Sequence, residues 1–488
     1  MKLINKINII AIISLSLLAT SCKQYSMLQS NYQKKFTPVA TKNNKPLPVA
    51  FGEKTDSTNS ANIRWKDFFE DKNLSNLIEV ALQNNLELMI TLQDIEIARN
   101  QIKMRESFLL PTTTVGLGAG GEKVGLYTSQ GAGDASADIT PGNKVPEILG
   151  DFQLGIRSSW ELDVFKKFRN AKKAALTRYL ATVEGKNFVV TNLVAEIANS
   201  YYELLALDNQ LDIIRETISL QKNALEIVKV QKEAAVVTEL AVKKFEAEVL
   251  NSQSLEFDIQ QQIKENENKI NFLLGRFPQP IIRDKTTFTS QIPKQIKDGI
   301  PSQLLVNRPD IKKAELELFA TDCNVKVAQA EFYPSFNISG AVGFQAFKPQ
   351  FLLRTPQSIM FGLLGDLAAP VINRKAIQAE FSSAKAEQIA ALYNYQKSIL
   401  TGFVEVSNEL SNISNLQKLY DVKNKEVEAH IKAIDISNDL FKSARADYFE
   451  VLLTQRDALA SKLELTEAKK RQFNAVINVY RALGGGWK

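Results

Sequence analysis

The sequence predicts a mainly helical chain interrupted by a few amphipathic β-strands, with the whole pattern built twice. Three observations predict it. Neither proline nor glycine occurs from Lys186 to Leu274, or again from Phe403 to Leu483. Both stretches are rich in Leu, Ala, Glu, Lys and Gln, and must be mostly helix. Short segments that alternate apolar and polar residues precede each stretch at matched places. Finally, the two halves align with each other: "VAEIAN" (Val194 to Asn199) falls on "FVEVSN" (Phe403 to Asn408), and "LLG" (Leu273 to Gly275) on "ALG" (Ala482 to Gly484). A period this long marks a duplicated domain rather than a solenoid.

Taken in order, residues 1–21 read as a signal peptide. Lys2 and Lys6 precede an apolar run from Ile9 to Ala19 that is too short to span a bilayer. The run ends in "LLATSCK", which resembles the lipobox of bacterial lipoproteins, with Cys22 as the lipidation site. The usual leucine three residues before the cysteine is Ala19 here, with Leu18 one step earlier. Residues 22–61 are polar and read as a tether. The only other cysteine, Cys323, falls in a helical pattern as a small buried thiol.

The first repeat is expected over residues 62–280. Its helix, "NNLEL…SFLLP", stops at Pro111. Strands follow at about 112–120 and 151–163, then a helical hairpin at about 165–275 that turns near Ala234-Ala235. Residues 281–303 are a linker. The second repeat, 304–488, opens on "NRPDI". Pro309 suits the first helical position, Asp310 suits the positive end of the helix dipole, and Asn307 or Arg308 makes the entry. Its helix stops at Pro334. Strands follow at about 335–346 and 357–368, then a hairpin at about 371–484 that turns near Ala444-Arg445.

The clearest strand, "FQLGIRSSWELDVF", puts Phe152, Leu154, Ile156, Trp160 and Leu162 on one face. Gln153, Gly155, Arg157, Ser159, Glu161 and Asp163 lie on the other. Four such strands fit a transmembrane barrel wall, but four cannot close a barrel, and open edges are not tolerated in lipid. Three chains would supply twelve. A polar inner face then implies water inside, hence a conduit.

Other functions find little support. The net charge of +6 is small for 488 residues and is spread along the chain, which argues against nucleic acid. The sole histidine, His430, sits mid-helix, and no catalytic, phosphate-binding or metal-ligating motif occurs. The chain is therefore not expected to be an enzyme or to carry a cofactor or metal. A tethered structural coiled-coil lipoprotein without channel activity is the alternative; it leaves the four matched strands unexplained.

The motifs "LLVNRPDI", "AQAEFYPSFNISG", "WELDVFKKFRNA", "DLAAPVINRKA" and "VYRALGGGW" together resemble the TolC-like outer-membrane factor family. Within it, the resemblance is to the NodT-type lipoprotein branch partnered with resistance-nodulation-division pumps. It implies a homotrimer in the cell outer membrane, with a twelve-stranded β-barrel continuing into a twelve-helix periplasmic α-barrel. A small equatorial domain would draw on about Asn62 to Asn76, Arg276 to Gln303 and parts near the second hairpin. The duct would be passive, driven by an inner-membrane pump through a periplasmic adaptor. Matching "AIDISNDLFKSARADYFEVLLTQ" to the family places Asp435 and Asp439 at the periplasmic gate, with solvated outer-face acids as the plainer reading. The hairpin tips, with Ala235, Thr238, Ala444 and Asp447, would meet the adaptor. The glycine that the family often has at the tip is Ala444 here, and Ala235 in the first half. Lys166, Lys167, Arg169, Lys172 and Lys173 face either lipid headgroups or solvent at a helix start. Trp160, Phe165, Phe332, Tyr333 and Phe108 form either an aromatic girdle or core.

Overall fold

A computed structural model describes residues 48–51, 58–286, 288, 297–369, 374–443 and 445–488. The expected signal peptide, Cys22, most of the tether and Ala444 lie outside them. Residues 50–488 form one unit; of the unit before it, only Pro48 and Val49 are described. The first repeat contains α1 (Lys72–Asn84), α2 (Leu86–Ser107), β1 (Thr112–Glu122), β2 (Leu149–Leu162), α3 (Lys167–Glu233) and α4 (Glu239–Leu273). The second contains α5 (Pro309–Ala330), β3 (Ser335–Ala346), β4 (Ile359–Ala368), α6 (Arg374–Lys442) and α7 (Tyr448–Ala482). At 67 and 69 residues, α3 and α6 are each about 100 Å long at about 1.5 Å per residue.

The four strands form one antiparallel meander in the order β1-β2-β3-β4. The helices beside it repeat that order: α2 packs on α3, α3 on α5, and α5 on α6. Farther along, α3 also packs on α4 and α7, and α6 on α7. A shared register keeps these arms in level. Arg215 pairs with Glu256 and Lys232 with Glu239 between α3 and α4. Asn199 meets Asn478, and Asn209 meets Thr466, between α3 and α7.

The largest core lies where α1, α3, α4 and α7 meet the linker. Tyr202 stacks on Phe473 at 4.3 Å and Phe68 on Tyr480 at 4.0 Å between ring centroids. Tyr201 donates to Asp71 at 2.8 Å, and Asp71 also caps α1 through Asn73 N and Leu74 N. Burial, reinforced by Asp71, raises the Tyr201 pKa, so the phenol stays a donor. The linker is tied in by Arg283, which grips Asp208 of α3 bidentately and Glu267 of α4.

Nearer the hairpin ends, two smaller apolar clusters line the arms. One holds Ile214, Ile218 and Leu459; the other Leu225, Val228, Ala241, Val242, Phe245, Val249 and Leu452. The register above puts Gln221, Ser252 and Gln455 at one level between them. All three are buried. Both amide atoms of Gln221, Ser252 Oγ and Gln455 Oε1 have no hydrogen-bond partner among the described residues.

The two repeats are closed by equivalent ties. Asn85 caps α2 through Leu88 N at 2.9 Å, while its Nδ2 donates to Leu273 O at the end of α4 at 2.8 Å. In the second repeat Arg308 takes this place and donates to Ala482 O at the end of α7 at 2.9 Å. Arg308 is the entry residue of α5; Asn307 belongs to a short helix before it. The expected helix start is there, with Pro309 first and Asp310 in the first turn. Arg308 does more than start a helix. Its guanidinium is buried, holds Asp310 at 3.0 and 2.6 Å, and reaches Glu405 of α6 at 2.7 Å. Burial works against its charge, but the two carboxylates more than offset that and hold its pKa above the usual value.

Candidate functional site: sheet face, edges and hairpin tips

Register makes every cross-strand row of the sheet share a face. One face carries the rows Val115/Ile156/Val342/Phe361, Leu117/Leu154/Phe344/Ile359, Trp160/Ile338/Gly365 and Leu162/Phe336/Leu367. The opposite face carries Thr112/Ser159/Ser339/Leu364, Thr114/Arg157/Ala341/Gly362, Gly118/Gln153/Gln345 and Glu161/Asn337/Asp366. The first face is apolar except in the row Thr113/Ser158/Gly340/Leu363, where the Thr113 and Ser158 hydroxyls bond each other at 3.2 Å, and the opposite face is mainly polar. Leu363 and Phe361 are 82% and 86% exposed, so the described residues leave the apolar face uncovered. Among the described residues, neither β1 nor β4 has a second partner strand.

The sheet–helix junction is more tightly knit than a solvated helix start. Asp163 lies beyond the end of β2, contrary to the expectation that it belongs to the strand's polar face. Its carboxylate accepts from Phe168 N at 2.9 Å and Arg169 N at 3.0 Å and also pairs with the Arg169 side chain. Lys167 joins Glu161 of β2 to Glu331 at the end of α5, and Lys172 pairs with Glu106 of α2. Burial lowers the Lys167 pKa, but these two carboxylates outweigh it and raise the value overall. Lys166 sits in the left-handed region at φ 64° where strand gives way to helix. The aromatic residues pair with one another: Phe165 stacks on Tyr333 at 4.7 Å, Phe332 meets Phe381 edge-on, and Phe108 lies against Phe168. Trp160 is on the apolar face and donates to Leu109 O at 3.2 Å.

At the other end, α3 stops at Glu233 and α4 starts after Thr238, while α6 stops at Lys442 and α7 starts after Asp447. Ala235 forms this turn with φ 59°. Thr238 and Asp447 precede their helices without a side-chain capping bond, and Ala235, Thr238 and Asp447 are all exposed. Asp435 and Asp439 lie one turn apart on the last turns of α6, both exposed. Asp439 makes a loose 3.8 Å pair with Lys442. Asp435 and Asp439 therefore lie near the hairpin end of α6, and Asp447 in the turn beyond it. His430 is half-buried higher on α6.

Sequence reasoning missed the Arg308 tie, the Arg283 clamp and the Asp163 cap. A signal was present for Arg308: an arginine followed two residues later by an aspartate at a helix start. The Arg283 clamp depends on Asp208, 75 residues away, and left no signal; the Asp163 cap closes on Phe168 and Arg169 only five and six residues on, but its place in the polar alternation of β2 concealed it.

An amphipathic sheet with two edges unpaired among the described residues, running directly into helices about 100 Å long, has the form of an outer-membrane duct subunit. A family model for outer membrane efflux proteins matches residues 77–276 and 300–485. The chain belongs to the outer membrane efflux protein family and is a channel component of an efflux system in the outer membrane. It is 26% identical over 445 residues to the solvent efflux pump outer membrane protein SrpC of Pseudomonas putida, covering 91% of this chain and 92% of that protein. The probable outer membrane lipoprotein SilC of Salmonella typhimurium is 26% identical over 454 residues, covering 91% and 93%. The crystal structure of a membrane protein from Pseudomonas aeruginosa matches with a TM-score of 0.81 at 24% identity, covering 91% of this chain and 99% of that one.

Proposed function

We propose that three copies of this chain close into one twelve-stranded barrel and a continuous helical tube, forming a passive export duct for small molecules. The open edges of the sheet carry this reading. Each of β1 and β4 leaves about ten outward backbone groups unpaired, and in lipid each such group costs several kcal/mol. That penalty, tens of kcal/mol per edge, excludes an isolated chain in the membrane. In the antiparallel meander, β4 of one copy is correctly directed to pair with β1 of the next. The helices offer a matching seam: α2 exposes Leu86 and Ile90, 26 and 22 residues before β1, and α6 exposes Ile389 and Tyr393, 21 and 25 residues after β4. The apolar sheet face then meets lipid and the polar face lines water.

The energy source lies outside this chain, in an inner-membrane pump of the resistance-nodulation-division class joined through a periplasmic adaptor. The adaptor docks on the hairpin tips around Ala235, Thr238, Ala444 and Asp447. Asp435 and Asp439, six carboxylates per trimer, form the acidic ring of the closed gate. Cys22 carries the lipid that holds the N-terminus at the outer membrane, a reading supported by the lipoprotein name of the Salmonella relative. Planar-bilayer recording tests the gate. Asp435→Ala with Asp439→Ala is expected to raise conductance and weaken cation preference; unchanged values in a folded trimer would remove these residues from the gate.

A further inference from the structure

Within the four strands Arg157 is the sole basic residue, while Glu122, Asp151, Glu161 and Asp366 supply four carboxylates. All five fall on the polar face. Arg157 has no carboxylate in its own cross-strand row, whose other members are Thr114, Ala341 and Gly362. Its side chain runs along the strand instead. Nη2 donates to Gln153 Oε1. Gln153 Nε2 donates to Asp151 Oδ2 at 2.6 Å, and Asp151 Oδ1 accepts from Gln345 Nε2 of β3 at 2.8 Å. Four residues of strand separate Arg157 from Gln153 by about 13 Å, so the two side chains can meet only if nothing stands between them. The intervening position on that face is Gly155, in the row Gly116/Gly155/Gly343/Met360, whose one side chain, Met360, lies two strands away on β4. A Cβ on Gly155 would lie 2.9 Å from Val342 O, so the close approach of β2 and β3 requires glycine there and leaves a bare floor beneath the guanidinium.

We propose that Arg157 is a charge-selectivity residue of the duct, laid flat against the barrel wall by the Gln153–Asp151–Gln345 rail. This rests on the reading of the polar face as the lumen. Held this way, the guanidinium is drawn along the wall toward Asp151 and partly neutralises it, and the lumen keeps a net acidic wall that favours cationic over anionic cargo. Freed from the rail, Arg157 points into the water. A trimer then presents three guanidinium groups at one level, a site for carboxylate-, sulfonate- or phosphate-bearing molecules.

Potassium-to-chloride permeability ratios of the full-length trimer test this. The ratio is read from reversal potentials at about 0.01 M salt, where the screening length of about 30 Å reaches across the lumen. All variants are made in a background of Asp435→Asn with Asp439→Asn, so that carboxylates at the tips do not mask the barrel. Gln153→Ala is expected to shift the ratio toward chloride, and Arg157→Ala to shift it toward potassium. The double variant should behave as Arg157→Ala alone. Gln153→Leu, which keeps the volume and loses the acceptor, should match Gln153→Ala and replaces it should the smaller side chain impair assembly. A conducting trimer whose ratio is the same in Gln153→Ala, Gln153→Leu and the parent overturns the rail and leaves the duct standing. A folded protein that conducts no ions overturns the duct, and the rail with it.

Discussion

Replacing Arg308 by alanine should destabilise the fold by about 3–4 kcal/mol, much of what a domain has to lose. Three acceptors lose their donor at once. Ala482 O is enclosed, since Ala482 is buried, and an unsatisfied buried carbonyl costs about 1–3 kcal/mol. Breaking a buried ion pair costs about 3–5 kcal/mol when the orphaned charge stays dry. Here the side chains of Asp310 and Glu405 are 23% and 39% exposed, so water recovers much of that cost and the sum falls below the simple total. Arg308→Lys keeps the charge but not the planar fork, and cannot serve all three acceptors; about half of the loss is expected. Urea unfolding in detergent, followed by tryptophan fluorescence, suits the measurement. Trp487 donates to Asn307 O at 3.2 Å and to Gly484 O at 2.9 Å, beside the tie. A stability within about 0.5 kcal/mol of wild type, the range of ordinary surface substitutions, would refute the assignment of Arg308 as a load-carrying joint between α5, α6 and α7.

Other expectations concern the arms and the tips. Gln221→Leu should raise stability by about 1–2 kcal/mol, because the buried amide has no hydrogen-bond partner among the described residues; thermal unfolding monitored by circular dichroism checks this. Ala235→Gly should relieve a left-handed alanine, which costs about 1–2 kcal/mol, and lose part of that gain to unfolded-chain entropy. Slower amide exchange around the α3–α4 turn is the expected sign. Burial raises the Glu315 pKa, with Lys312 opposing. A raised folded pKa favours the protonated form, so this group's contribution is present at low pH and lost as pH rises through the folded value. Glu315→Gln should therefore be more stable than wild type at neutral pH. The difference in melting temperature should shrink as pH falls from about 8 to about 4; a gap that widens on acidification would contradict the sign.

Alternation and punctuation made much of the architecture legible. The strand beginning near Phe152 could be read because every second residue except Ser158 is apolar from Phe152 to Leu162, and its faces follow from period two. The long arms could be read because neither proline nor glycine interrupts them. What stayed hidden depends on register between distant segments. Gln221, Ser252 and Gln455 look like ordinary surface residues of three helices until pairing brings them to one level. Asp163 continues the polar alternation of β2, and only the start of α3 converts it to a cap. The Arg157 rail needs both the strand pairing and the bare glycine position, neither of which a single strand displays. The Asn-Arg-Pro-Asp run showed its helix-start signals, while the burial of its arginine depends on α6 and on the end of α7.

The native mass of the detergent-extracted protein, corrected for bound detergent, tests the closure of the sheet most directly. Three copies of the chain, 54.5 kDa each before any processing, in a species that heat converts to single chains, is the predicted result. A stable single chain that remains folded in the bilayer with β1 and β4 unpaired would contradict it.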